Sequence, residues 1–326
     1  LGLGFNPIFT VDKMVDLAIS AEKNGFESFW VHESVYQRDA VSYLSSILSK
    51  TKKLKVGTGC INTVTRHPSL AATTFATLAE IYPKRIIMGI GWGGFPFLPK
   101  IGYNPFPTSQ SKPLKRVTEY ISIVNSLLTG ENITFTGEFF TVNNMSLEIE
   151  LKHKIPIYIA SLSPKLLKRS STLADGVILS PALSTPQETE KKIKWVTNKS
   201  KRPDFDVASY ILTSINKNQR EAEKSIRKFY FFLYQVCEII PISTLEPYDI
   251  TEEKMKTTKD AWKKGDIPEA GKNLPIEAID ALTITGTADH CIDKLNLYRK
   301  IGVNLPILMP IGEITQAINA FGVKND

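Results

Sequence analysis

The sequence predicts an α/β fold of the (β/α)8 TIM barrel type, on three observations. Eight short, β-rich apolar runs are bounded by Gly, Pro, Asn or charged residues. Several of them, including Ile86-Ile87-Met88, Ile157-Tyr158-Ile159 and Ile307-Leu308-Met309, are apolar without alternation, as strands covered by helices are. The runs start near Leu1, Phe26, Leu54, Arg85, Ile155, Gly176, Val207 and Val303, and five of the seven spacings have the length of a plain strand–helix unit. Eight such units suit a closed barrel better than an open doubly wound sheet.

The helices between the runs are punctuated. Thr10 is placed to cap a helix with Met14, Leu17, Ala18 and Ala21 on one face, and Asn24-Gly25 ends it. Pro68 suits the first position of a helix after the third run. Thr185-Pro186-Gln187-Glu188 reads as a capping box with Pro at the first helical position. Thr287 opens a helix with Ile292, Leu295 and Ile301 facing inward, stopped by Gly302. The two long spacings are insertions into a single domain spanning residues 1–326, after strands 4 and 7, at about 92–154 and 238–282. The first holds a helix over 114–128 and a hairpin built from Ile133-Thr134-Phe135 and Phe139-Phe140-Thr141, and the second shows little periodicity. Both are expected over the catalytic face.

Composition excludes several classes. With 42% hydrophobic and 22% charged residues the chain is neither disordered nor collagenous. Cys60, Cys237 and Cys291 are scattered, with no pair at ligand spacing, so no metal site and no disulfide framework is expected. The longest uncharged stretch, residues 86–99, is 14 residues with Gly and Pro throughout, too short for a membrane span. Leu1 opens on an apolar run with no basic segment before it, and the expectation is a cytoplasmic protein. The formal charge of +7 is interleaved with acids along helix faces, as in residues 188–194, which argues against nucleic acid and for attraction to a small acidic ligand.

A barrel gathers the ends of its strands at one mouth, so chemistry is sought there. The residues ending the runs are Asn6, His32-Glu33-Ser34, Gly59-Cys60-Ile61-Asn62, Gly91-Trp92-Gly93-Gly94, Ser161-Leu162-Ser163, Ser180 and Met309-Pro310. They are rich in Gly and hydroxyls and poor in ionisable groups, a set that holds a cofactor rather than hydrolyses a bond. Residues 89–94 satisfy GxGxxG, yet the next helix starts late and no acid follows about 20 residues on, so a Rossmann fingerprint fails on context. Ser161-Leu162-Ser163-Pro164 offers free N–H groups, a helix dipole and two hydroxyls, either as a phosphate cradle or as an ordinary cap. Arg66 either reaches a phosphate or pairs with an acid across the rim. Trp92, Phe95, Phe97, Tyr103 and Phe106 either wall a pocket or form the core of the insertion.

Residues 25–33 (GFESFWVHE), 56–62 (VGTGCIN), 66–68 (RHP), 76–80 (ATLAE), 88–91 (MGIG) and 284–292 (ITGTADHCI), in this order, make the chain similar to the bacterial luciferase-like monooxygenase superfamily. Residues 30–39 and 59–66 most resemble its branch of coenzyme F420-dependent methylenetetrahydromethanopterin reductases. The resemblance implies an oxidoreductase that passes hydride between F420, a deazaflavin, and a small organic substrate, working as a homodimer or larger homo-oligomer. An FMN-dependent monooxygenase is the alternative, and a flavin-binding barrel without turnover is another. It further implies a cis peptide at Gly59-Cys60 against the ring, with Asn62, Gly91, Trp92 and Gly93 around it and the phosphate at Ser161, Leu162 and Ser163. Glu33 falls on the family's acidic position, as proton donor or orienter. Ser34 stands where many members have His, so that role passes to Glu33, to His32 or to the substrate. Asn6, His32, Ser34 and Phe95 are left to line the substrate pocket.

Overall fold

A computed structural model describes residues 1–93, 98–104, 111–179, 183–197 and 204–322. Phe95, Phe97, Phe106 and Ser180 lie outside them. Eight parallel strands close a ring: β1 (Gly2–Phe5), β2 (Ser28–Val31), β3 (Lys55–Thr58), β5 (Ile86–Gly91), β8 (Ile157–Ala160), β9 (Gly176–Ile178), β10 (Asp206–Ile215) and β12 (Leu305–Pro310). Closure is made by β12 on β1, with Gly2 opposite Ile307 and Leu3 opposite Leu308. All eight expected runs are therefore strands of a (β/α)8 barrel. A short strand β4 (Ile61–Asn62) continues β3 past Gly59-Cys60 and pairs with β5.

Alternation along the strands builds two cores. Inward-facing Trp30, Ile87, Tyr158, Ile178, Ala208, Tyr210, Leu305 and Ile307 fill the ring. Two of these rings are large for the space, and glycine makes room for them. A Cβ on Gly57 would stand 2.7 Å from the Trp30 ring, and one on Gly4 would stand 2.3 Å from Tyr210. Outward-facing residues meet the helices, where Met14, Leu17, Ala18 and Ala21 of helix Val11–Lys23 are buried as their spacing predicts. Thr10 Oγ1 accepts from Lys13 N–H, and Thr185 Oγ1 accepts from Glu188 N–H at 3.2 Å.

The segment between β5 and β8 carries helix Pro113–Leu128 and an antiparallel pair, β6 (Ile133–Thr136) and β7 (Thr141–Met145). Buried Glu119 pins this hairpin to the helix by accepting from Glu138 and Phe139 N–H at 3.0 and 2.9 Å. Two expectations need correction. The helix opened by Thr287 buries Cys291, Leu295 and Tyr298, while Ile292 is 37% exposed. The 238–282 segment is largely helical, with Glu252–Lys263, Ile267–Asn273 and Ile276–Leu282 closing over Leu245, Ile250, Met255 and Leu274. The last two of these helices, at 7 residues each, are too short to show a clear period in sequence. After them β11 (Ile284–Gly286) pairs with the last three residues of β10.

Candidate active site

Because every barrel strand runs the same way, the residues after β1, β2, β4, β5 and β8 share one mouth. The peptide between Gly59 and Cys60 is cis. It separates β3 from β4 and turns Cys60 toward β5, where a Cβ on Gly91 would lie 2.4 Å from the Cys60 sulfur. Burial, and then the charge of Glu33, push the Cys60 thiol up to about 12, so it stays a thiol. From the opposite wall Tyr210, on β10, reaches beneath the same bulge. A Cβ on Gly59 would stand 1.8 Å from its phenol oxygen. The bulge is thus packed from two sides at positions only glycine can occupy.

Glu33 follows β2 by two residues, and its carboxylate is the hub of the rim. Oε1 accepts from Arg66 Nε at 2.7 Å, and Oε2 accepts from Asn62 N–H at 3.0 Å and from the Thr65 hydroxyl. Arg66 also binds Asp39, whose other oxygen caps helix Ala40–Lys50 by accepting from Ser42 N–H at 2.7 Å. The loops after β2 and β4 are joined by this ion pair. Both oxygens of the Glu33 carboxylate are thus committed to Arg66, Asn62 and Thr65. For Arg66, the pairing across the rim is what is found. Asn62 in turn accepts at Oδ1 from Val64 and Thr65 N–H, at 3.0 and 2.8 Å, which shapes the turn into helix Pro68–Ile81.

The remaining positions divide. Asn6 is half-buried after β1, and Trp92 and Gly93 follow β5, with Gly93 in the left-handed region at φ 112° and close against Asn62. Ser34 Oγ accepts from Tyr36 and Gln37 N–H and so shapes its own loop. His32 turns inward, its ring centroid 4.5 Å from that of Tyr210. Burial takes His32 down to about 4, so the ring is neutral. Ser161, Leu162 and Ser163 lead into helix Pro164–Leu173. Ser163 occupies the N-cap without a side-chain bond to the helix, Ser163 N–H donates to Ser161 Oγ at 3.0 Å, and no acid lies in the first turn. This helix end is open and suited to an anion. Sequence reasoning missed Tyr210, Asp39 and Thr65. The glycines at 4 and 59, opposite one aromatic, were the available signal for Tyr210.

The profile of the family described as luciferase-like monooxygenase matches residues 4–305. The 5,10-methylenetetrahydromethanopterin reductase of Archaeoglobus fulgidus is 29% identical over 300 residues, 90% of this chain and 88% of that one. An F420-dependent glucose-6-phosphate dehydrogenase of Microbacterium testaceum is 28% identical over 307 residues, 90% and 86% of the two chains. Among solved structures, the coenzyme F420-dependent tetrahydromethanopterin reductase of Methanopyrus kandleri superposes with a TM-score of 0.86 at 25% identity, covering 98% of this chain and 96% of that one.

Proposed function

Since the chain belongs to the luciferase-like monooxygenase family, we propose that it is an F420-dependent oxidoreductase that transfers hydride between the deazaflavin and a small organic molecule. The observation that carries this reading is the likeness, over nearly the full length of both chains, to relatives named for F420. The mouth fits such a group on its own chemistry. Its bulge is bordered by glycines and a neutral thiol, His32 is uncharged, and the charges of Glu33, Asp39 and Arg66 are spent on each other. A planar, nearly neutral ring loses little hydration against such a wall. At the edge of the mouth the open N-terminus of helix Pro164–Leu173 offers N–H groups and two serine hydroxyls to a phosphate.

When bound, the deazaflavin supplies the hydride-accepting and hydride-donating ring. The protein's residues do the rest. Ser161, Leu162 and Ser163 hold the phosphate, and Gly59, Cys60, Asn62, Gly91, Trp92 and Gly93 bound the ring. Glu33 orients Asn62 and the bulge, while Asn6 and Ser34 stand toward the substrate. Holding the substrate in position for hydride transfer is worth about 7–11 kcal/mol of barrier at best. Among the described residues no group of three His, Cys, Asp or Glu could hold a metal, and no helix is long and apolar enough to cross a membrane.

Calorimetric titration with oxidised F420 and, separately, with FMN tests the proposal. F420 is expected to bind with a micromolar or lower Kd, with FMN at least tenfold weaker. Tighter binding of FMN would transfer the reading to the FMN-dependent monooxygenases of the family. Binding of F420 with no turnover, across a panel of carbonyl and imine acceptors, would leave a binding barrel without catalysis.

A further inference from the structure

His32, Glu33 and Ser34 follow β2 in succession, and their polar atoms meet different fates. The Glu33 oxygens are taken by Arg66, Asn62 and Thr65. The Ser34 oxygen is taken by the N–H groups of Tyr36 and Gln37. No hydrogen bond from the described residues reaches either ring nitrogen of His32, and Nε2 is sealed from solvent as well.

The ring is nevertheless held. It turns into the barrel on the same side as Ser28 and Trp30, and it lies on Tyr210 with the two planes 37° apart. Tyr210 also fixes its place in the mouth, because the same phenol ring ends beneath Gly59. One aromatic ring therefore spans the gap between His32 and the Gly59-Cys60 bulge. Nε2 is sealed, whereas Nδ1 is not among the sealed, unpartnered nitrogens and takes no hydrogen bond from the described residues, which leaves Nδ1 as the nitrogen open to a ligand. A dry N–H is a costlier orphan than a dry lone pair, which places the single proton of the neutral ring on Nδ1.

We propose that His32 is a ligand-contacting residue of this site, donating a hydrogen bond from Nδ1 to a carbonyl oxygen of the planar heterocycle held against the bulge. The proposal rests on the deazaflavin reading, since a pyrimidinedione ring carries such carbonyls along one edge. An uncharged donor suits that partner: it meets a neutral carbonyl without a charge having to leave water. It also gives the rim a free imidazole although the hydroxyl of Ser34 is spent on its own loop.

The test uses the full chain labelled with 15N and oxidised F420 as the probe. Of the four histidines, His32 is assigned by comparison with His32→Phe. In the free protein its imidazole is expected as the Nδ1–H tautomer, uncharged between pH 6 and 8, and F420 is expected to shift its Nδ1 resonance. His32→Phe keeps a ring against Tyr210 and removes the donor, and it should weaken F420 binding roughly tenfold. His32→Asn, whose amide nitrogen lies near the place of Nδ1, should recover most of that loss. If wild-type protein fails to bind F420, the deazaflavin reading fails and this contact with it. If wild-type protein binds while the Nδ1 resonance stays put and His32→Phe binds equally well, the contact alone is overturned. If His32→Phe does not fold, His32→Asn, which also removes the imidazole, supplies the assignment, and the wild-type spectrum decides the matter.

Discussion

Gly89→Ala is expected to destabilise the protein by about 3 kcal/mol and lower its Tm by roughly 4–6 °C. The added methyl would stand 1.9 Å from the backbone oxygen of Thr58 and 3.2 Å from Ile178. No rotamer relieves a contact with main chain. Neither strand is free to move away, because Thr58 and Gly89 are tied twice. Gly89 N–H donates to the Thr58 hydroxyl at 3.1 Å, and that hydroxyl donates to Gly89 O at 3.0 Å. Moving either strand tears this pair and displaces the bulge that starts one residue after Thr58. Ligand affinity should therefore fall along with stability. Thermal unfolding followed by circular dichroism checks the first part, and an unchanged Tm would mean that β3 and β5 are not packed as described.

The second large effect belongs to Arg66→Met. Its guanidinium is the cation shared by Glu33, whose side chain is 7% exposed, and Asp39, which is 44% exposed. Removing one member of a fully buried pair costs about 3–5 kcal/mol, and solvent reaching Arg66 and Asp39 reduces this to about 2–3 kcal/mol. Lysine should not restore it, since one ammonium cannot bridge two carboxylates with the geometry of a guanidinium. The double variant Arg66→Met with Glu33→Gln should be more stable than Arg66→Met alone, because it removes the more buried of the two carboxylates that lose their cation. Urea unfolding of the four proteins gives the coupling. Additive losses would show that the pair contributes nothing at the rim. Both single variants should also lose F420 affinity, as Asn62 is held by Glu33 through its backbone N–H.

How much of this was visible beforehand follows from where the information resides. The barrel was legible because its signals are local: each apolar run with its bounding Gly or Pro marks a strand, and Thr10 and Thr185 mark helix starts through their own hydroxyls. The mouth was legible as a consequence, since parallel strands collect their ends. Burial of Cys291 and Tyr298 in place of Ile292 was not, because the strand that covers this helix sets which face is inside. The pairing of Arg66 with both Glu33 and Asp39 joins residues 27 and 33 positions apart, and no spacing announces it. Tyr210 sits within a ten-residue strand that is nearly all buried, indistinguishable by pattern from a core aromatic. Only the packing against Gly4 and Gly59 reveals that it underlies the mouth. The free state of His32 is likewise a property of the assembled rim, left over after its two neighbours have found partners.

The most direct test of the whole account is a crystal structure of the protein soaked with oxidised F420. Density is expected for a tricyclic ring lying against Gly59-Cys60, with the phosphate at the N–H groups and hydroxyls of Ser161 and Ser163. Density for the coenzyme on any other surface, or a mouth in which Tyr210 and Trp92 meet and shut out the ring at saturating coenzyme, would contradict it.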